Sequence, residues 1–113
     1  MDKLLIEPKA KFAGHLNCIT ELEQKCLSSK ILREMKPSYV GTMVRVNERG
    51  AELGTLAVAE YDTTLAICVF ADQGIVELLM KELHDCDQII VFEQADRDLI
   101  QKYNCKGIKI VLE

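Results

Sequence analysis

The stretch from Tyr39 to Leu83 leaves the chain the fewest options. It reads as three strands feeding a helix. Tyr39-Val40-Gly41-Thr42-Met43-Val44-Arg45-Val46 leads to a turn, Leu53 to Glu60 leads to a second, and Leu65-Ala66-Ile67-Cys68-Val69-Phe70-Ala71 completes the set. After Asp72-Gln73-Gly74 the apolar spacing lengthens to Ile75, Leu78, Leu79 and Leu83, which is the period of a helix. Turn chemistry sets the pairing. Asn47-Glu48-Arg49-Gly50 carries Asn at its start and Gly at its end, as hairpin turns do, and Tyr61-Asp62-Thr63 makes the next reversal. In the first strand Val40, Thr42, Val44 and Val46 share one face, with Met43 and Arg45 on the other. The third strand is apolar on both faces, as a central strand covered from two sides should be.

The flanking segments extend this unit. Lys3-Leu4-Leu5-Ile6-Glu7, closed by Pro8, reads as an edge strand or an N-terminal arm. Phe12, Leu16, Ile19, Leu22, Cys26 and Leu27 recur at helical spacing and form one stripe, with Cys18 a small filler beside it. The stripe drifts at Ser28-Ser29, where the helix bends or a serine caps a second short one, and Pro37 ends the segment. Downstream, Gln88 to Phe92 is a strand and Asp96 to Tyr103 a short helix with Leu99, Ile100 and Tyr103 inward. Ile108, Ile110 and Leu112 alternate with Lys109 and Val111 in a last strand, after Asn104 and Gly107. The connections 71–88 and 93–107 are long enough for right-handed parallel crossovers. The expected fold is α/β, or α+β in some classifications, in a single domain over residues 1–113. Its mixed sheet of five or six strands joins an antiparallel meander to a C-terminal β-α-β-α-β unit, with the long N-terminal helix on one face.

Composition narrows the function classes. A hydrophobic share of 49% and a charged share of 28% argue against disorder. The net charge of -4, with no Trp and only three Phe and three Tyr, disfavours nucleic-acid binding, which draws on basic side chains and aromatic platforms. Lys102, Lys106 and Lys109 are the one basic concentration, and a solvated face accounts for them. No apolar run approaches the roughly 20 residues that cross a bilayer, and Met1-Asp2-Lys3 opens no secretory signal, so no membrane partner is expected. Five widely spaced cysteines, an odd number, fit free thiols in the cytoplasm.

The candidate site lies where the last three strands, if parallel, bring their carboxyl ends to one rim. Two loops meet there: Asp72-Gln73-Gly74 and Glu93-Gln94-Ala95-Asp96. Asp72 with Glu93 or Asp96 would hold Mg²⁺ through oxygens; alternatively Asp72 and Asp96 are helix N-caps and nothing more. Cys68, inside an apolar strand, reads as an inert thiol. His84 with Cys86 and Cys105, or His15 with Cys18 and Cys26, offers only three soft ligands each and no Cys-x-x-Cys, and His15 also reads as an exposed polar residue. Arg45 and Arg49 flank the hairpin turn, where they would hold an anion or simply balance Glu48 and Glu52. Gly-x-Ser-x-Gly and phosphate-loop patterns are absent. Gly41-Thr42 and Gly54-Thr55 suggest a lightly built sheet edge open to another backbone.

Three functional readings emerge. The leading one is a non-enzymatic interaction or regulatory protein acting through homo-oligomerisation, as a dimer, and through binding of a protein or small ligand. The alternatives are a small metal-dependent enzyme using the acidic rim, and a nucleic-acid-associated protein using the lysines.

Overall fold

A computed structural model describes residues 3–7, 13–71 and 74–113. Its elements in chain order are β1 (Lys3–Glu7), α1 (Ala13–Ser28), β2 (Tyr39–Val46), β3 (Glu52–Tyr61), β4 (Thr64–Ala71), α2 (Gly74–Glu82), β5 (Gln88–Val91), α3 (Gln94–Lys102) and β6 (Lys109–Leu112). The strands form one six-stranded mixed sheet in the order β1-β2-β3-β4-β5-β6. β1 to β4 pair antiparallel, and β4-β5 and β5-β6 pair parallel. This is the expected α/β, or α+β, mixed sheet, and Lys3–Glu7 is its sixth strand rather than a loose arm.

The turns form for the reasons their residues suggest. Asn47 Oδ1 accepts from the amides of Arg49 (2.9 Å) and Ala51 (3.0 Å), closing the β2–β3 hairpin locally. Gly50, at φ 81°, supplies the left-handed residue that this loop needs. β3 and β4 turn back through two residues, of which Asp62 takes φ 56°, a region Asp tolerates better than bulkier side chains.

The sheet is covered on both faces. Toward α2 and α3 it turns Met43, Leu56, Val58, Leu65, Ile67 and Ile89, which pack with Ile75, Val76, Leu79 and Met80 of α2 and Ile100 of α3. Toward α1 it turns Ala57, Ala59, Ala66, Cys68 and Ile90, which pack with Leu22 and Cys26 of α1 and with Leu32. α1 rests on β2, β3 and β4, whereas α2 rests on β1, β2 and β3 and α3 on β5 and β6.

α1 is rotated from the expected stripe. Leu22 and Cys26 are buried as predicted, but Leu16 is 54% and Leu27 70% exposed; Phe12 lies outside the described residues. His15, read as either a soft ligand or an exposed polar residue, is buried and sets its Nε2 3.2 Å from Glu52 Oε2 at the start of β3. The helix ends at Ser28. Ser29 is buried as well: its Oγ accepts from Ile31 (3.2 Å) and Leu32 (3.1 Å) and starts a turn. Polar residues with tertiary or capping partners thus occupy positions that a purely apolar stripe would assign to leucines. Gly41 and Gly54 do not lie at a sheet edge either. β2 and β3 are interior strands with neighbours on both sides, so the edges are β1 and β6.

Candidate ligand groove at the carboxyl ends of the parallel strands

β4 has eight residues and β5 four, and their ladder runs only from Thr64↔Gln88 to Ala66↔Ile90. The last part of β4 therefore overhangs β5, and its inward amides need another acceptor. Asp96 supplies one. It sits in the first turn of α3, only 9% exposed, and its Oδ2 accepts from the Val69 amide at 3.3 Å. Burial pushes the Asp96 carboxyl above its ordinary value, with the Val69 amide opposing that shift. The N-cap reading of Asp96 is thereby corrected. The N-cap of α3 is Glu93, in extended conformation and without a side-chain cap bond. Asp96 lies three residues further on because the exposed end of β4 competes for its carboxylate.

Glu93 turns instead toward α1, where its Oε1 accepts from Lys25 Nζ at 2.8 Å. That bond holds the Glu93 carboxyl below its usual range and raises Lys25. With His15–Glu52 at the other end of the helix, the Lys25–Glu93 pair tethers α1 at two points. The tail closes the same region, since Glu113 Oε2 accepts from the Lys30 amide at 3.0 Å.

Between α1 and this rim runs a groove. One cavity of about 490 Å³ is lined by Glu21, Gln24, Lys25, Ser28 and Ser29 on one side and by Phe92 and Glu113 on the other. A second, of about 250 Å³, shares Glu21 and Lys25 and reaches Cys68, Phe70, Glu93 and Asp96. Burial pushes the Cys68 thiol up to about 12, which keeps it protonated and unreactive, in line with its expected inertness. The Ser28 hydroxyl donates to Gln24 O at 3.2 Å, and Ser29 is occupied by its turn. The groove thus presents carboxylates and one ammonium around an apolar floor, and its potential nucleophiles are protonated or hydrogen-bonded.

The structure brings Glu93 and Asp96 to this groove. Gly74 is placed elsewhere. It opens α2 on the opposite face of the sheet, so close to Arg45 of β2 that a Cβ added there would meet Arg45 Nε at 3.2 Å. Asp72 and Gln73 lie outside the described residues. Among the described residues no group of three or more His, Cys, Asp or Glu is arranged to hold a metal ion. In particular, the Cys86 thiol donates to Gln88 O at 3.5 Å, and His15 is engaged with Glu52. The three lysines do not form one patch. Lys106 Nζ donates to the carbonyls of Leu83 and Lys81 at the end of α2, and Lys102 Nζ lies 5.5 Å from the Tyr103 ring. Lys109 alternates with Ile110 on β6 and so faces the α1 side of the sheet. Arg49 is exposed on the hairpin loop.

Sequence reasoning missed Glu21, Lys25, Phe92 and Glu113. The only local signal was the polar row Glu21, Gln24, Lys25, Ser28, neighbouring the apolar one on α1. Among the described residues no helix is long and apolar enough to cross a membrane. No family model, curated protein or solved structure matches the chain.

Proposed function

We propose that this chain is a non-enzymatic regulatory or interaction protein, working as a homo-oligomer, that takes a small cationic ligand in the groove beside α1. The observation that carries this reading is the lining itself. Glu21 and Glu113 line the larger of two adjoining cavities, Glu21, Glu93 and Asp96 line the smaller, and Lys25 is the cation common to both. A compound bearing a primary amine or guanidinium would exchange Lys25 for itself as the partner of Glu93, with Phe92 and Phe70 offering apolar contact. Carboxyl ends of parallel strands are the usual place for ligands in open α/β sheets, which supports the location. The protonated Cys68 thiol and the engaged serines favour binding over turnover. Five free cysteines suit a reducing, cytoplasmic setting.

The test is thermal unfolding of the purified protein against a panel of diamines, polyamines, guanidines and matched carboxylic acids, beside a Gln24→Trp variant that fills the groove. Amines or guanidines raising the midpoint of the wild type alone is the expected result. No response to any of them, or equal response in Gln24→Trp, overturns the reading. A response to Mg²⁺ that disappears in Glu93→Gln would point instead to the metal-dependent alternative.

A further inference from the structure

The two edges of the sheet are treated differently. On β6 the carboxamide of Asn104 stands where a seventh strand would begin: its Nδ2 donates to Ile108 O at 2.7 Å and its Oδ1 accepts from Ile108 N at 3.1 Å. Both backbone groups of the residue leading into β6 are thus occupied by a side chain, which blunts that edge. Among the described residues nothing pairs with the outer edge of β1. α2 touches β1 from one face only, and Leu5, opposite Val44 on the other face, is 45% exposed.

We infer that the outer edge of β1 is a self-association surface, on which a second copy of this chain pairs antiparallel about a two-fold axis at Leu5. The inference rests on the homo-oligomer half of the proposed function and is independent of the groove. Lys3-Leu4-Leu5-Ile6-Glu7 is its own complement when reversed. A two-fold axis normal to an antiparallel pair must place some residue opposite its own copy. Centred on Leu5, the register sets Lys3 against Glu7 of the second copy, twice, and Leu4 against Ile6. Opposite charges facing each other across a pair are favourable. Centring on Leu4 leaves Lys3 opposite Leu5, and centring on Ile6 leaves Glu7 opposite Leu5, so charge selects one register. At the axis Leu5 meets Leu5 on the α1 side, covering the half-exposed leucine. A twelve-stranded sheet results, with a β6 at each end whose entry residue Ile108 is held by Asn104.

Five residues a side is a small contact, so the dimer is expected to dissociate on the order of 10–100 µM. Sedimentation equilibrium from about 1 to about 500 µM resolves it. Lys3→Glu or Glu7→Lys alone sets like charges opposite each other and is expected to weaken the dimer about tenfold or more. The double swap Lys3→Glu with Glu7→Lys restores complementarity and should bring it back to within about threefold. Leu5→Lys, placing two ammonium groups at the axis, should leave a folded monomer by circular dichroism. A wild type that stays monomeric across the range overturns both this inference and the oligomer reading. A dimer that none of the variants weakens, or that the double swap fails to restore, overturns the inference alone. The groove reading is tested separately by the amine panel.

Discussion

Ala66 and Ile67 are neighbours in β4, both wholly buried, and they face opposite ways into very different surroundings. Ile67 joins a core of branched and long side chains beneath α2 and α3, whereas Ala66 joins Ala57, Ala59 and Cys68 beneath α1. Small residues let a single helix approach the sheet closely. A lone helix covers about 10 Å of width, while six strands spaced about 4.8 Å apart span about 24 Å. The α1 side is therefore tight under the helix and open beside it, and the groove lies along that open flank. The other face spends its two helices on a continuous core. One sheet has thus divided the work, with stability built mainly on one side and a usable concavity left on the other.

The contrast is breakable in opposite directions. Ile67→Ala should cost about 2–5 kcal/mol by chemical denaturation, since a cavity opens where large side chains meet. Ala66→Leu, one residue away, should cost about 1–3 kcal/mol by overfilling a space set by the helix. If Ala66→Leu proved harmless, the α1 face would not be tightly packed and the comparison would fail.

Asp96 sharpens the picture at the boundary between strand and helix. Asp96→Ala leaves the Val69 amide without its acceptor and should cost about 1–3 kcal/mol. Asp96→Asn keeps an acceptor and should cost less. The sign with pH follows from burial. A carboxyl raised in the folded state binds more protons there than in the unfolded chain. Its contribution is therefore most favourable at low pH and declines as pH climbs from the ordinary carboxylate value through the raised one. Denaturation at several pH values should show that decline flattened in Asp96→Asn.

Thr42 offers a smaller effect with the opposite sign. It sits beside Ala57 under α1, fully buried, and its Oγ1 has no hydrogen-bond partner among the described residues. Thr42→Val should raise stability by about 1 kcal/mol, and a loss instead would reveal a partner for the hydroxyl. Smallest of all, Glu93→Gln should leave the thermal midpoint unchanged within scan error, because exposed ion pairs contribute little. Its effect should appear only in ligand binding, as a weaker response to amines.

Patterns carried by one element were legible in the residues, and arrangements between elements were not. The doubly apolar run at 65–71 announced a central strand, Asn47 to Gly50 announced the hairpin, and Ser28-Ser29 marked the end of α1. The face of α1 was misjudged because Leu16 and Leu27 advertise burial, while His15 and Ser29 earn theirs through Glu52 and a turn that only the folded chain provides. Asp96 looked like a cap because its preference for helix starts is local, whereas the shortness of β5, which redirects it, is a property of pairing. Lys25 and Glu93 stand 68 positions apart, and nothing in either neighbourhood names the other.

The order of the strands in space is the order in which the chain presents them. Each new strand closes against the edge left by the strand before it. Only β2–β3 and β3–β4 close through short turns, whereas β1–β2, β4–β5 and β5–β6 each close around a helix and cost more loop entropy. During synthesis β1 to β4 can form a sheet before the parallel half has emerged. The overhanging end of β4 would then wait only until Asp96 arrives to take up the Val69 amide.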